Sequence, residues 1–170
     1  EMIRANPRSH SGNLATLISR ELLETEISHL TLEGFALLTT FHSFGLTLAN
    51  VHLAPGKSAG SKRLAQISQI VGASPTECLA IIGDTNTRAG EIETIIGAGL
   101  AAPKPPSPTW NSYKNRFHAS APKFRTHFTR CFTHPNITTQ EMQVLEGHVI
   151  RNGKEFFVSD HFALFGQMLL

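Results

Sequence analysis

The chain has 170 residues, 41% of them hydrophobic and 16% charged, with a formal net charge of +2. Those values predict one domain over residues 1–170 with a substantial core, and they exclude a disordered chain. No apolar run approaches the length of a membrane span, and Cys78 and Cys131 form no CxxC, so the expectation is an intracellular protein with reduced thiols, nuclear or cytoplasmic alike.

The first residues, Glu1 to Arg8, lack the central apolar stretch of a signal peptide. Residues 14–18 read as a short strand after Gly12-Asn13. Residues 32–41 and 45–53 read as the two arms of a hairpin punctuated by Ser43-Phe44-Gly45. In the second arm Leu46, Leu48, Asn50 and His52 share one face by alternation. Residues 59–71 form a helix with Leu64, Ile67, Ile70 and Val71 as its apolar stripe and Lys62, Arg63, Gln66 and Gln69 as its polar side, stopping at Gly72. Residues 78–82 are five apolar residues in a row, the signature of a buried central strand that delivers Gly83-Asp84 to a loop. Residues 91–96 predict a short helix with Ile92, Ile95 and Ile96 inward, ended by Gly97 and Gly99. The prolines of residues 101–108 make a connector. Residues 124–132 alternate as one strand, residues 143–149 as a weaker one, and residues 156–169 contain the last strand, beginning after Asp160-His161. Strands alternating with helices early and pairing by hairpins late predict an α/β fold with mixed sheets.

Three short motifs sit where such strands end or begin. In Gly83-Asp84-Thr85-Asn86, residues i and i+2 face one way, so a carboxylate and an amide are presented together. Asp84 can accept a proton or bind a hard cation, and Asn86 can donate to a phosphate oxygen. The same residue types also favour a simple turn. Asp160-His161 pairs a carboxylate with an imidazole that it can orient, and such an imidazole can stabilise charge growing on a phosphate. His52 closes its strand; a lone histidine there is as readily structural. Adjacent strand edges can gather all three into one cleft. Between Glu93 and Glu141 there is no acidic residue, while Lys104, Lys114, Arg116, Lys123, Arg125 and Arg130 fall in that stretch. Such a segment attracts polyanions, or it is a solvated basic loop.

The ordered set Val51-His52-Leu53, Gly83-Asp84-Thr85-Asn86, Thr109-Trp110 and Ser159-Asp160-His161 resembles the endonuclease/exonuclease/phosphatase superfamily, whose fold is that of deoxyribonuclease I. The resemblance runs from about Ser11 to Leu170. It implies two packed mixed β-sheets flanked by helices, a four-layer α/β sandwich, and a Mg²⁺-dependent attack of water on phosphorus, with Mn²⁺ able to substitute. By that resemblance Asp84 orients or activates the water, Asn86 holds a phosphate oxygen, His161 stabilises the transition state with Asp160 behind it, and His52 contacts the scissile phosphate. Within the superfamily, Gly83-Asp84-Thr85-Asn86-Thr87-Arg88 and Thr109-Trp110-Asn111 with Asn115 are similar to motifs of the tyrosyl-DNA phosphodiesterase 2 family. Arg63 and Gln66 also match its pattern in the helix after the first motif. That similarity implies DNA as partner, at a 5′ or protein-linked end, with Arg88, Trp110 and Asn115 as substrate-binding residues and a role in DNA repair.

Two positions and the N-terminal segment depart from the pattern. Asn111 stands where the pattern has Asp, and Thr129 stands for an Asp in the strand motif His127-Phe128-Thr129-Arg130. The superfamily's opening strand is absent, which predicts an N-terminally truncated domain. Its metal-binding Glu has Glu1 as the candidate here, beside Asp160. Two other functions stay open: a different nuclease or phosphatase of the superfamily, and a non-catalytic nucleic-acid- or phosphate-binding relic. The chain has no HxxxH, GxGxxG or Walker A pattern, which argues against zinc and nucleotide-cofactor chemistry.

Overall fold

The computed structural model describes residues 2–4, 14–22, 25–115, 122–157 and 159–170. Its centre is a mixed five-stranded sheet. Strand β3 (Ile27–Leu32) turns into β4 (Ala36–Phe41), which pairs antiparallel with β5 (Leu46–His52). A parallel neighbour follows, β6 (Cys78–Asp84), reached through helix α1 (Gly60–Ala73), and β9 (Thr129–Thr133) closes the sheet antiparallel to β6. Helix α2 (Ala89–Gly97) follows β6 directly.

The two faces of this sheet do different work. One face carries Ala36, Leu38, Ala49, Val51, Leu79, Ile81 and Phe132, which pack with Ile67 and Ile70 of α1 and Ile95 of α2 into the main core. Alternation sends Leu37, Asn50, Ile82 and Asp84 to the other face. There β2 (Ala15–Leu17), paired with β1 (Met2–Arg4), is held by Asn50, whose amide donates to the Ala15 carbonyl at 2.8 Å, and Leu14 packs on Leu37. Farther along, β10 (Thr138–Leu145) pairs antiparallel with β13 (Ala163–Leu169), and Ile82 and Cys131 face Leu164 and Phe165 across a cavity of about 180 Å³. The outcome is the expected α/β sandwich, with helices on one side of a mixed sheet and further β-pairs on the other.

Several expected boundaries move, each for a local reason. Residues 32–41 are not one strand: Leu32 ends β3, and Glu33 and Gly34 take positive φ values of 27° and 75° to make the turn into β4. Ile27 to Thr31, read as no element from sequence, is therefore strand, because β4 offers it a full antiparallel ladder. Residues 124–132 break into β8 (Arg125–Thr126), which pairs with β7 (Trp110–Asn111), and β9. The break falls at Phe128, whose carbonyl leaves the strand ladder to accept both the N–H and the hydroxyl of Thr85, at 2.9 and 2.8 Å. The weak strand at residues 143–149 is the end of β10 plus the start of a separate hairpin, β11 (His148–Arg151) with β12 (Lys154–Phe157). Gly72 lies inside α1 rather than ending it. Ile96 is 52% exposed instead of inward, and Arg63 and Gln66 are buried instead of facing water. Among the described residues no helix is long and apolar enough to cross a membrane.

Candidate active site

The register of the central sheet lines up the chemistry. His52 is paired with Asp84 across the parallel β5–β6 ladder, and Asp84 with Thr129 across the antiparallel β6–β9 ladder. Directly paired residues point to the same face. Thus three strands place His52, Asp84 and Thr129 in one row at the edge of the sheet.

Gly83 makes this row possible. It adopts a φ of +140°, and a Cβ there would lie 2.2 Å from the Val51 carbonyl oxygen. The parallel neighbour thus approaches so closely that only a hydrogen fits. The chain then swings out of the strand: Asp84 Oδ1 accepts the Asn86 N–H at 3.1 Å, and Asn86 sits in the left-handed region at φ 52°. Asn86 is buried, and one of its amide protons goes to the Leu53 carbonyl at 3.1 Å. Thr85 and Thr87 are fully buried and share a 2.9 Å hydroxyl contact, which fixes the loop from below.

The second half arrives from the C-terminal side. Phe162 donates its N–H to the Thr109 carbonyl at 2.8 Å, tying the Ser159-Asp160-His161 segment to the Trp110 strand. Within that segment Ser159 Oγ accepts the His161 N–H at 3.1 Å. His161 Nε2 then lies 3.6 Å from Asp84 Oδ2, and His52 Nε2 lies 3.5 Å from the same oxygen. One carboxylate oxygen is thus flanked by two imidazoles, in side chains 36% (His52), 24% (Asp84) and 19% (His161) exposed. On its other nitrogen, His161 Nδ1 is 2.9 Å from Thr129 Oγ1.

These groups open into a cleft of about 630 Å³ lined by His52, Asp84, Asn86, Arg88, Asp160 and His161 together with an aromatic wall. The wall is Trp110, stacked on Phe124 at 5.8 Å and edge-on to His161 at 5.1 Å, with Phe128 beside it. Arg88 lies over the Phe128 ring at 4.5 Å, and among the described residues its buried Nε has no hydrogen-bond partner. Arg88 also lines the cleft, where a guanidinium is suited to an oxyanion.

Seven expected site residues therefore converge: His52, Asp84, Asn86, Arg88, Trp110, Asp160 and His161. Asn115 does not line the cleft; it is buried and its amide donates to the Ser159 carbonyl at 2.7 Å, so it holds the segment that carries Asp160 and His161. Glu1 lies outside the described residues. Phe124, Phe128 and Thr129 line the cleft without having been named as site residues; alternation was the signal for Phe124, and the motif His127-Phe128-Thr129-Arg130 was a further signal for Phe128 and Thr129.

Among the described residues no three His, Cys, Asp or Glu side chains are arranged to hold a metal ion. Mg²⁺ asks for less, since it is commonly held by one or two carboxylates plus substrate phosphate oxygens and waters. Asp160 contributes one such carboxylate to the cleft. The donor chemistry present therefore fits that ion.

No family model and no curated protein matches this chain. Solved structures do. The D. rerio TDP2 structure with a single-strand DNA product matches with a TM-score of 0.64 at 23% identity, covering 87% of this chain and 68% of that one. The C. elegans TDP2 structure matches with a TM-score of 0.72 at 18% identity, covering 96% of this chain and 56% of that one. A mannosyl-6-phosphatase from Bacteroides thetaiotaomicron matches with a TM-score of 0.54 at 14% identity, covering 79% of this chain and 57% of that one. The chain thus spans between about half and two thirds of these structures. It shares the deoxyribonuclease I-like fold of the TDP2 structures.

Proposed function

We propose that this chain is a Mg²⁺-dependent phosphodiesterase that hydrolyses a phosphoester at DNA ends, as a TDP2-like hydrolase of DNA repair. The observation that carries the reading is the pair of imidazoles on Asp84, facing one cleft with Arg88 and Trp110. Oδ1 of Asp84 is occupied by the Asn86 N–H, which leaves Oδ2 to orient a water and take its proton. Asn86 has a second amide proton for a non-bridging phosphate oxygen, and Arg88, which lines the same cleft, brings its guanidinium to the same group. His161 and His52 donate from Nε2 to the oxygens on which charge grows as the water–phosphorus bond forms and the bond to the leaving oxygen breaks. A Mg²⁺ ion bound through Asp160, with Glu1 as its proposed second carboxylate and Mn²⁺ as a substitute, would supply Lewis-acid charge stabilisation there.

The choice of DNA over a small phosphate ester rests on the wall and the charge beside it. Trp110, Phe124 and Phe128 offer a face on which a base or a tyrosyl ring can stack. Of the nearby basic residues, Lys114 is paired with Glu146, whereas Arg125 lies over the Tyr113 ring at the exposed turn. A small phosphoester as substrate would leave this wall without a purpose that the cleft explains.

The test is release of tyrosine from a 5′-phosphotyrosyl oligonucleotide, with and without Mg²⁺, beside Asp84→Ala. Turnover that needs Mg²⁺ and falls at least about 100-fold in Asp84→Ala supports the reading. A folded protein that binds the oligonucleotide without turnover points to the relic, and turnover only on a sugar phosphate points to another ester.

A further inference from the structure

Thr129 stands where the superfamily pattern carries a carboxylate, and its surroundings give that hydroxyl a defined task. Its main chain is clamped on both sides by the fully buried Thr109, whose Oγ1 accepts the Thr129 N–H at 3.0 Å and donates to the Thr129 carbonyl at 3.2 Å. Its side chain shares a face with Asp84, directly across the ladder. It ends 2.9 Å from His161 Nδ1, while the same ring turns its Nε2 toward Asp84 at 3.6 Å. The ring is otherwise bounded by the Trp110 edge at 5.1 Å and Phe128 at 6.1 Å. Aromatic contacts of that kind confine a ring without fixing its rotation about its own axis or the nitrogen that carries the proton.

We infer that Thr129 is a positioning residue, a neutral hydroxyl that locks the His161 ring and so decides which nitrogen faces the cleft. A carboxylate can only accept from Nδ1–H, whereas a hydroxyl can donate to a bare Nδ1 and so keep the proton of the neutral ring on Nε2, toward the cleft. The Thr109 clamp supplies the rigidity, because the Thr129 Cα is fixed by two hydrogen bonds besides the strand ladder. Loss of the carboxylate from this position has therefore not left His161 without a partner. The inference rests on the proposed role of His161 in the cleft, and it assigns this chain its own way of holding that histidine.

Two variants and two readouts test it on the full chain. Thr129→Val keeps volume and β-branching and removes the hydroxyl; Thr129→Ser keeps the hydroxyl. The first readout is the ring ¹⁵N chemical shifts of His161 by NMR, assigned through their loss in His161→Gln, and it needs no turnover. The expected result is that Thr129→Val moves the two ring nitrogens toward a mixed-tautomer average while Thr129→Ser keeps the original pattern. The second readout is kinetics on the phosphotyrosyl oligonucleotide. Thr129→Val is expected to lower kcat roughly 10–100-fold with KM nearly unchanged, and Thr129→Ser to restore kcat to the original order of magnitude. Unchanged ¹⁵N shifts in a folded Thr129→Val protein overturn the inference, as does a Ser variant that behaves like Val in both readouts. Absence of turnover in the unmodified protein counts against the proposed function alone, and the NMR comparison then decides on Thr129 by itself.

Discussion

A single hydrogen at residue 83 governs how the cleft is assembled. Because a Cβ there would meet Val51 oxygen at 2.2 Å, backbone atom against backbone atom, no side-chain rotation relieves the clash. Gly83→Ala should therefore separate β5 from β6 at the point where His52 and Asp84 meet, costing about 2–4 kcal/mol from overpacking and a φ of +140° that L-residues resist. Chemical denaturation checks the stability, and activity should fall with it; a Gly83→Ala protein of unchanged midpoint would mean the two strands do not approach so closely. The sequence flagged Gly83 only as a turn former, since a requirement set by a neighbouring strand leaves no local trace. Asp84 and His161, by contrast, were legible, because each sits at the border of an apolar strand, where a polar side chain has little structural reason to stand.

At the level of elements, the informative case is α1. Arg63 belongs to its polar side, yet Arg63 is 0% exposed. Its guanidinium donates twice to Glu91 of α2, at 2.8 and 2.6 Å, and to the carbonyls of Ala54 and Gly56 at 2.8 Å each. Gln66 adds its Oε1 to the Ala54 N–H at 2.9 Å. These bonds join two helices to the loop that leaves His52. Removing one partner strands a buried charge, so Arg63→Ala should cost about 3–5 kcal/mol and lower Tm markedly. Arg63→Lys should not rescue it, since an ammonium cannot reproduce the bidentate fork. Thermal melting reads both; a Lys variant as stable as the original chain would refute the bidentate role. Periodicity located the helix correctly but assigned burial from residue type alone, and a fully bonded arginine defeats that rule.

Across the whole molecule, the packing of the β10–β13 pair on the central sheet has its own chemical probe. Cys131 is buried beneath that pair, and burial pushes its thiol up to about 12, so it stays protonated and unreactive near pH 8. Cys78, at the start of β6, is only half-buried. An aromatic disulfide reagent should therefore titrate Cys78 in the native chain and reach Cys131 only after denaturation. Rapid native labelling of Cys131 would mean that β13 is not seated over β9. The α/β class, the main helices, the buried central strand and the polar residues at strand edges all follow from alternation, periodicity and composition, which act over a few neighbouring residues. Register, the split of residues 124–132, the burial of Arg63 and the meeting of two imidazoles on one carboxylate do not. Each depends on hydrogen bonds between segments far apart in the chain, such as Thr85 to Phe128 and Asn115 to Ser159, and only the folded arrangement brings those donors to their acceptors.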